Sequence, residues 1–200
     1  MKNAEAFQVA KLAANSDLMK RACYELQTEH LEHDLFPEED FDFLIEFLQS
    51  QDVLKKAEGV HPILLIFEVE WDMLTEEQRR QLLPVLESIF PRIQDHLGAF
   101  LIPEILGENF QNEGALNVLE RLSHIENTKR RAQIPHGLKH FIEGKKEGAL
   151  VERACELLHQ LLKDGSEEVL NEAKASFARV QAKGFCKQIC AAPPGSPATG

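Results

Sequence analysis

Several groups of side chains in this 200-residue chain have types and spacings that could do chemistry. His30 and His33 lie beside Glu29, Glu32 and Asp34. On a helix, His30, His33 and Asp34 share a face, a geometry able to hold a divalent ion. The surrounding carboxylates raise the pKa of both imidazoles, and the spacing reads better as a solvated, acidic helix end. His136 and His140 also share a helix face, in the spacing of the H-E-x-x-H metal helices. Here the catalytic Glu is missing, and Lys139, Lys145 and Lys146 oppose a cation. Pro135-His136-Gly137 reads instead as a helix kink. Glu68 and Asp72 flank Trp71 on one helix face, a pair in which either carboxylate could act as an acid or base.

The remaining chemistry is sparse. No Ser/His/Asp motif or kinase signature occurs, and Gly144-Lys145-Lys146 lacks the earlier glycine and the Ser/Thr of a phosphate loop. Cys186 and Cys190 have no second Cys or His pair close by, whereas structural zinc takes four ligands. All four cysteines read as reduced thiols, with Cys23 and Cys155 among apolar helix positions as core thiols. Neither metal nor cofactor is expected.

Charge is more informative. The net charge is −11. Between Ala22 and Leu54 there is no Lys or Arg, but there are ten acids: Glu25, Glu29, Glu32, Asp34, Glu38, Glu39, Asp40, Asp42, Glu46 and Asp52. Thr128 to Lys146 is the converse, with Lys129, Arg130, Arg131, Lys139, Lys145 and Lys146 against Glu143 alone. An acidic protein gains nothing from releasing phosphate counterions, so nucleic acid is not the expected partner. Phe36, Phe41, Phe43 and Phe47 interleave with the acids, and Phe36, Phe43 and Phe47 cannot all turn inward together with Phe41, Leu44, Ile45 and Leu48. An apolar ring within a charged rim is what a protein interface needs. Phe36, Glu38, Glu39, Asp40, Asp42, Phe43 and Glu46 are therefore the candidate partner-binding residues. The partner would be a basic protein, drawn in by the acids.

The elements that must position these groups are helices. The spacing predicts helices over residues 3–14 and from about 17 onward. Pro37 reads as a first helical residue, with Glu38, Glu39 and Asp40 against the positive end of the dipole. A short helix is expected over 51–58. The apolar stretch from Ile63 to Leu74 has no partner strand and reads as a buried helix. Thr75 and Gln78 form a capping box for a helix kinked at Pro84. Pro91 and Gly98 bracket one short helix, and the segment around Pro103 makes another. Helices at 113–123, 128–143 (capped by Asn127 and kinked at Pro135), 148–164 and 167–183 (capped by Ser166) complete the pattern. Residues 1–184 read as a single helical-repeat domain and 185–200 as a flexible tail. The longest apolar run is far shorter than the roughly 20 residues a membrane span needs, and the polar N-terminus lacks a signal-peptide core, so a cytoplasmic protein with no membrane partner is expected.

Glu113-Gly114-Ala115-Leu116 recurs as Glu147-Gly148-Ala149-Leu150, at the spacing of helix-pair repeats. Together with Glu104-Ile105-Leu106-Gly107, the helix broken by Pro135, and Leu162-Lys163-Asp164 followed by Glu168-Val169-Leu170, this stretch resembles HEAT-type repeats between about Phe100 and Val180. The resemblance implies an all-α fold, a right-handed α-α superhelix of the HEAT/armadillo-like solenoid kind, with a less regular N-terminal half. It implies a non-catalytic protein-binding module; one version that fits the charge is an acidic immunity-type protein that neutralises a basic toxin. The alternative is a HEAT-like enzyme, a lyase or DNA glycosylase-like protein, with Glu68 or Asp72 as its carboxylate. Such glycosylases need a basic groove that this charge balance does not offer.

Overall fold

A computed structural model of the chain describes residues 4–13 and 16–186. Among the described residues every regular element is helical and there is no strand, so the fold is all-α. No helix among them is long and apolar enough to cross a membrane. The chain divides into two compact units, Met1–Ile105 and Leu106–Gly200, where the spacing alone suggests one repeat domain.

The first unit holds α1 (Ala4–Leu12), α2 (Ser16–His30), α3 (Glu38–Gln49), α4 (Gln51–Leu54) and α5 (His61–Val69). A 3-10 turn (Trp71–Met73), α6 (Glu76–Ile89) and α7 (His96–Ile105) follow. Phe7, Leu26, Phe41, Leu44, Leu48, Ile63 and Phe67 are almost wholly buried. Each such side chain contributes roughly 2 kcal/mol of apolar burial. The stretch from Ile63 does form a buried helix. Pro37 is the residue before α3 rather than its first, and α3 opens on Glu38. The helix expected over 51–58 is only the four-residue α4. The Thr75–Gln78 capping box is present. The helix read around Pro103 and the one beginning near Gly98 are a single element, α7, with Pro103 inside it.

Asp95 shows how the first unit satisfies two helix ends with one carboxylate. It is fully buried. Oδ2 accepts from the backbone N–H groups of Val60 and His61 at 3.0 and 2.8 Å, at the start of α5. Oδ1 accepts from Gly98 N–H at 3.0 Å, at the start of α7. Donors that helix geometry leaves without partners are thereby supplied in the interior, and α5 and α7 are held side by side.

The second unit begins with a π turn at Leu106–Phe110 and continues with α8 (Glu113–Leu122), α9 (Thr128–Arg131), α10 (Ile134–Lys145), α11 (Ala149–Leu161) and α12 (Glu167–Ala182). Helix α10 packs against α8, α11, α12 and the π turn. The π turn approaches so closely that a Cβ on Gly107 would run into the carbonyl of Gly137 on α10. The helix expected over 128–143 is broken into α9 and α10 just before Pro135, as the backbone of a residue preceding proline prefers. Asn112 and Asn127 cap α8 and α9 through their side chains. Ser166 does not cap α12 with its hydroxyl; its backbone N–H donates to Asp164 Oδ1 at 2.8 Å.

Ion pairs join successive turns of this unit. Arg131 meets Asp164 in a two-pronged pair, Nε to Oδ2 at 2.9 Å and Nη2 to Oδ1 at 3.0 Å, and also donates to the Ile125 carbonyl. Arg153 of α11 reaches Asn117 at 2.7 Å and Glu120, both on α8. Glu143 of α10 takes Arg179 at 3.2 Å and Lys183 at 2.7 Å. The Arg131 guanidinium, followed by the Ser166 N–H, holds the Asp164 carboxyl below its usual range.

The cysteine expectation is corrected. Cys155, on α11, is disulfide-bonded to Cys186 and is not a core thiol. A Cα separation of 5.5 Å across 31 residues of chain is possible because α12 turns the chain back. Phe185, placed in the tail by composition, donates its N–H to the Val180 carbonyl at 3.0 Å. Cys23 is buried as expected, and burial pushes its thiol up to about 12. Cys190 and the rest of the tail from 187 onward lie outside the described residues.

Two stability measurements test these assignments. Asp95→Ala strands three buried N–H groups and is expected to lower the unfolding free energy by about 3 kcal/mol in urea denaturation. Cys186→Ser opens a loop whose closure stabilises the fold by roughly 3–4 kcal/mol. Reductant should lower the wild-type midpoint by the same amount and leave the variant unmoved.

Candidate functional site

Apolar positions on α2 follow the stripe Met19, Cys23, Leu26, and the next position on that stripe is His30. His30 is accordingly 2% exposed, which corrects its reading as part of a solvated helix end. The helix stops at His30 and the chain crosses to α3 through residues 31–37. That crossing is anchored by Phe36. Its N–H donates to the Met73 carbonyl at 3.0 Å, its own carbonyl accepts from the Gln78 side chain at 3.2 Å, and its ring stacks on Phe67 at 5.6 Å.

The imidazole of His30 lies edge-on to Phe36, with ring centres 4.6 Å apart, between two carboxylates. Nδ1 is 2.5 Å from Glu70 Oε2, at the end of α5. Nε2 is 3.1 Å from Asp40 Oδ2, in the first turn of α3. Both acids are themselves buried, at 9% exposure. Burial alone would lower the His30 pKa, but hydrogen bonds to Glu70 and Asp40 and their charges raise it above the ordinary value. The doubly protonated ring, which donates at both nitrogens, is the form that satisfies both acids. The second oxygen of Asp40, Oδ1, is buried without a hydrogen-bond partner.

Asp40 also forms part of the wall of a surface cavity of about 520 Å³. Thr28 and Glu29 of α2, Glu32 and His33 of the crossing, and Pro37, Glu38 and Glu39 complete it. The wall carries five carboxylates and neither Lys nor Arg. Among the described residues, no three of its acids and His33 converge closely enough to hold a metal ion. The arrangement suits a larger cation able to meet acids on two sides.

The seven candidate binding residues are thus separated by burial. Glu38, Glu39, Asp42 and Glu46 are exposed. Asp40 is turned inward to His30. Phe36 is 3% exposed and cannot be the surface ring. Phe43 is half-buried, edge-on to Phe7 and stacked on Phe47, each at 5.5 Å. Phe41 and Phe47 are buried as well, so three of these four rings fit inside after all. The exposed apolar side chains beside the acids are instead Leu31 and Leu35, at 85% and 60%. Both lie outside a helix, where periodicity carries no information.

The other candidates lie elsewhere. Asp72 is exposed, Glu68 is half-buried, and neither lines the acidic cavity. Arg79 stands over the Trp71 ring at 5.1 Å. In the second unit the rings of His136 and His140 do come together, 4.6 Å apart. His140 Nδ1 meets Glu108 at 2.8 Å, and Lys139, itself buried, meets His136 Nδ1 at 3.1 Å. Burial, followed by the charges of Lys139, His140 and Arg179, lowers His136 to about 3, so it stays neutral and accepts from Lys139. The basic stretch is in this way partly consumed inside the unit.

His30→Gln removes the cation between two buried acids. It is expected to lower stability by about 3–5 kcal/mol at pH 6, as for a broken buried ion pair. Because the folded pKa of His30 is raised, its stabilisation is fully present below about 6.5 and fades as pH rises through the folded value. Urea midpoints from pH 5.5 to 9 should show that fall in the wild type and not in His30→Gln.

No family model, no curated protein and no solved structure matches this chain. Function has to be read from the side chains themselves.

Proposed function

We propose that this chain is a non-catalytic helical module that binds a basic protein partner through the acidic surface of α2 and α3. The observation that carries the reading is the cavity wall of five carboxylates without a Lys or Arg, continued along α3 by the exposed Asp42 and Glu46. Leu31 and Leu35 supply the apolar contact that the sequence reading sought in Phe36 and Phe43. Apolar contact within an acidic rim favours a basic protein by steering and by apolar burial together.

Masking a basic toxin, as immunity-type proteins do, is the version of this function that the net charge of −11 favours. The HEAT-like solenoid belongs to the same proposal. Its support is the antiparallel packing of α10 with its neighbours and the recurring 33-residue offset of the Arg131–Asp164 and Arg153–Glu120 pairs. A cytoplasmic location is the part of the reading that the Cys155–Cys186 bond weighs against, since disulfides persist in oxidising surroundings. An enzymatic role through Glu68 or Asp72 has less support, because neither carboxylate lines the acidic cavity.

The test uses the exposed acids only. A Glu38→Ser, Glu39→Ser, Asp42→Ser, Glu46→Ser variant keeps Asp40 and the His30 cluster intact. With a partner recovered by affinity capture from the native host, it should associate about tenfold more slowly than wild type at low salt. The difference should shrink at high salt, where exposed charges are screened. Equal association rates at low salt would overturn the reading.

A further inference from the structure

We infer that the acidic cavity receives the guanidinium group of an arginine side chain carried by the partner, with Asp40 Oδ1 as its innermost acceptor. This inference rests on the binding reading above and names the group that would be recognised. Two independent observations meet at Asp40. It belongs to the wall of the acidic cavity, and it is a 9%-exposed carboxylate of which one oxygen has no donor. Its other oxygen is committed to His30 Nε2 at 3.1 Å, so the group cannot turn to relieve Oδ1 without breaking that bond. A buried carboxylate oxygen without a donor is costly, and a donor entering the cavity would remove the cost. The positive end of α3 balances part of the negative charge, yet it gives Oδ1 no hydrogen bond.

The shape of the wall selects the cation. Glu29 and Glu32 come from the α2 side of the cavity, and Glu38, Glu39 and Asp40 from the first turn of α3. A planar guanidinium presents five N–H groups around its edge and can meet acceptors on both sides, whereas an ammonium is a compact point charge that gives up its water more reluctantly. About 520 Å³ is ample for the fork and its methylene stem. A divalent ion does not fit the wall, because no three of its ligand atoms converge. His30 provides a built-in reporter. A cation at Oδ1 competes electrostatically with the proton on the imidazole that shares the same carboxylate, so occupancy should lower the His30 pKa.

The full chain is titrated with N-acetyl-L-arginine amide, the matching lysine amide, the neutral citrulline amide and free L-arginine, followed by heteronuclear NMR. The arginine amide should bind saturably, shift the backbone signals of residues 38–40 and move the His30 titration to lower pH. Citrulline amide should not bind, and lysine amide should bind at least several-fold more weakly. Asp40→Asn should weaken the arginine amide by about tenfold or more, and Asp42→Asn, an exposed acid outside the wall, by less than about twofold. If Asp40→Asn does not fold, Glu38→Gln with Glu39→Gln makes the same comparison at exposed positions. Equal binding of lysine and arginine amides, equal loss in the Asp40 and Asp42 variants, or an unmoved His30 titration would each overturn the inference. Tighter binding of free L-arginine than of its capped amide would overturn a partner side chain as the source and assign the cavity to a small molecule. Should arginine amide fail to bind while the four-serine variant still loses its partner, the inference falls and the binding surface stands. Saturable arginine binding with unaltered partner association leaves the reverse.

Discussion

The first unit depends on one buried imidazole. His30 sits where an apolar side chain would continue the α2 stripe, and it can occupy that place only because Glu70 and Asp40 meet its two nitrogens. Three elements are thereby fixed against one another: the end of α2, the end of α5 and the first turn of α3. A buried charge cluster is weak evidence of stability, since well-packed apolar residues often do as well. What it supplies is position. The hydrogen bonds have directions, and an apolar contact there would let α3 slide or rotate and carry Glu38 and Glu39 with it.

That constraint explains how one run of acids serves two purposes. Asp40 is drawn inward to neutralise His30, and its neighbours along α3 are left facing water. The cavity wall is acidic because the local backbone turns five carboxylates toward one space while the only cation nearby, His30, is already held between Asp40 and Glu70. The second unit handles charge in the opposite way. Arg131, Arg153, Arg179 and Lys183 are each matched with an acid on another turn, so its basic residues mostly close on the unit itself. Exposed pairs of this sort add little stability singly, but the half-buried, two-pronged Arg131–Asp164 pair orients successive interhelical turns.

Covalent and backbone constraints finish the second unit. Gly107 allows the π turn to touch α10 at Gly137, an approach that any side chain would block. The disulfide from α11 to Cys186 holds the chain beyond α12 against the body of the unit. Neither depends on charge, so this unit does not rely on a single polar cluster as the first does.

Residue order by itself determined the helical class, most helix positions and the acidic character of the α2–α3 region. Those features are local: apolar spacing, caps such as Thr75–Gln78 and Asn127, and a run of acids are all visible within a few residues. Only the tertiary structure decided that His30, Asp40 and Glu70 meet, since they are separated by 10 and 40 positions and no periodicity links them. It also turned Phe36 inward and left Leu31 and Leu35 outside, because burial depends on which surfaces a neighbouring helix covers. The Cys155–Cys186 pairing was likewise hidden, since a bond between distant thiols follows from where α12 returns the chain and not from their spacing.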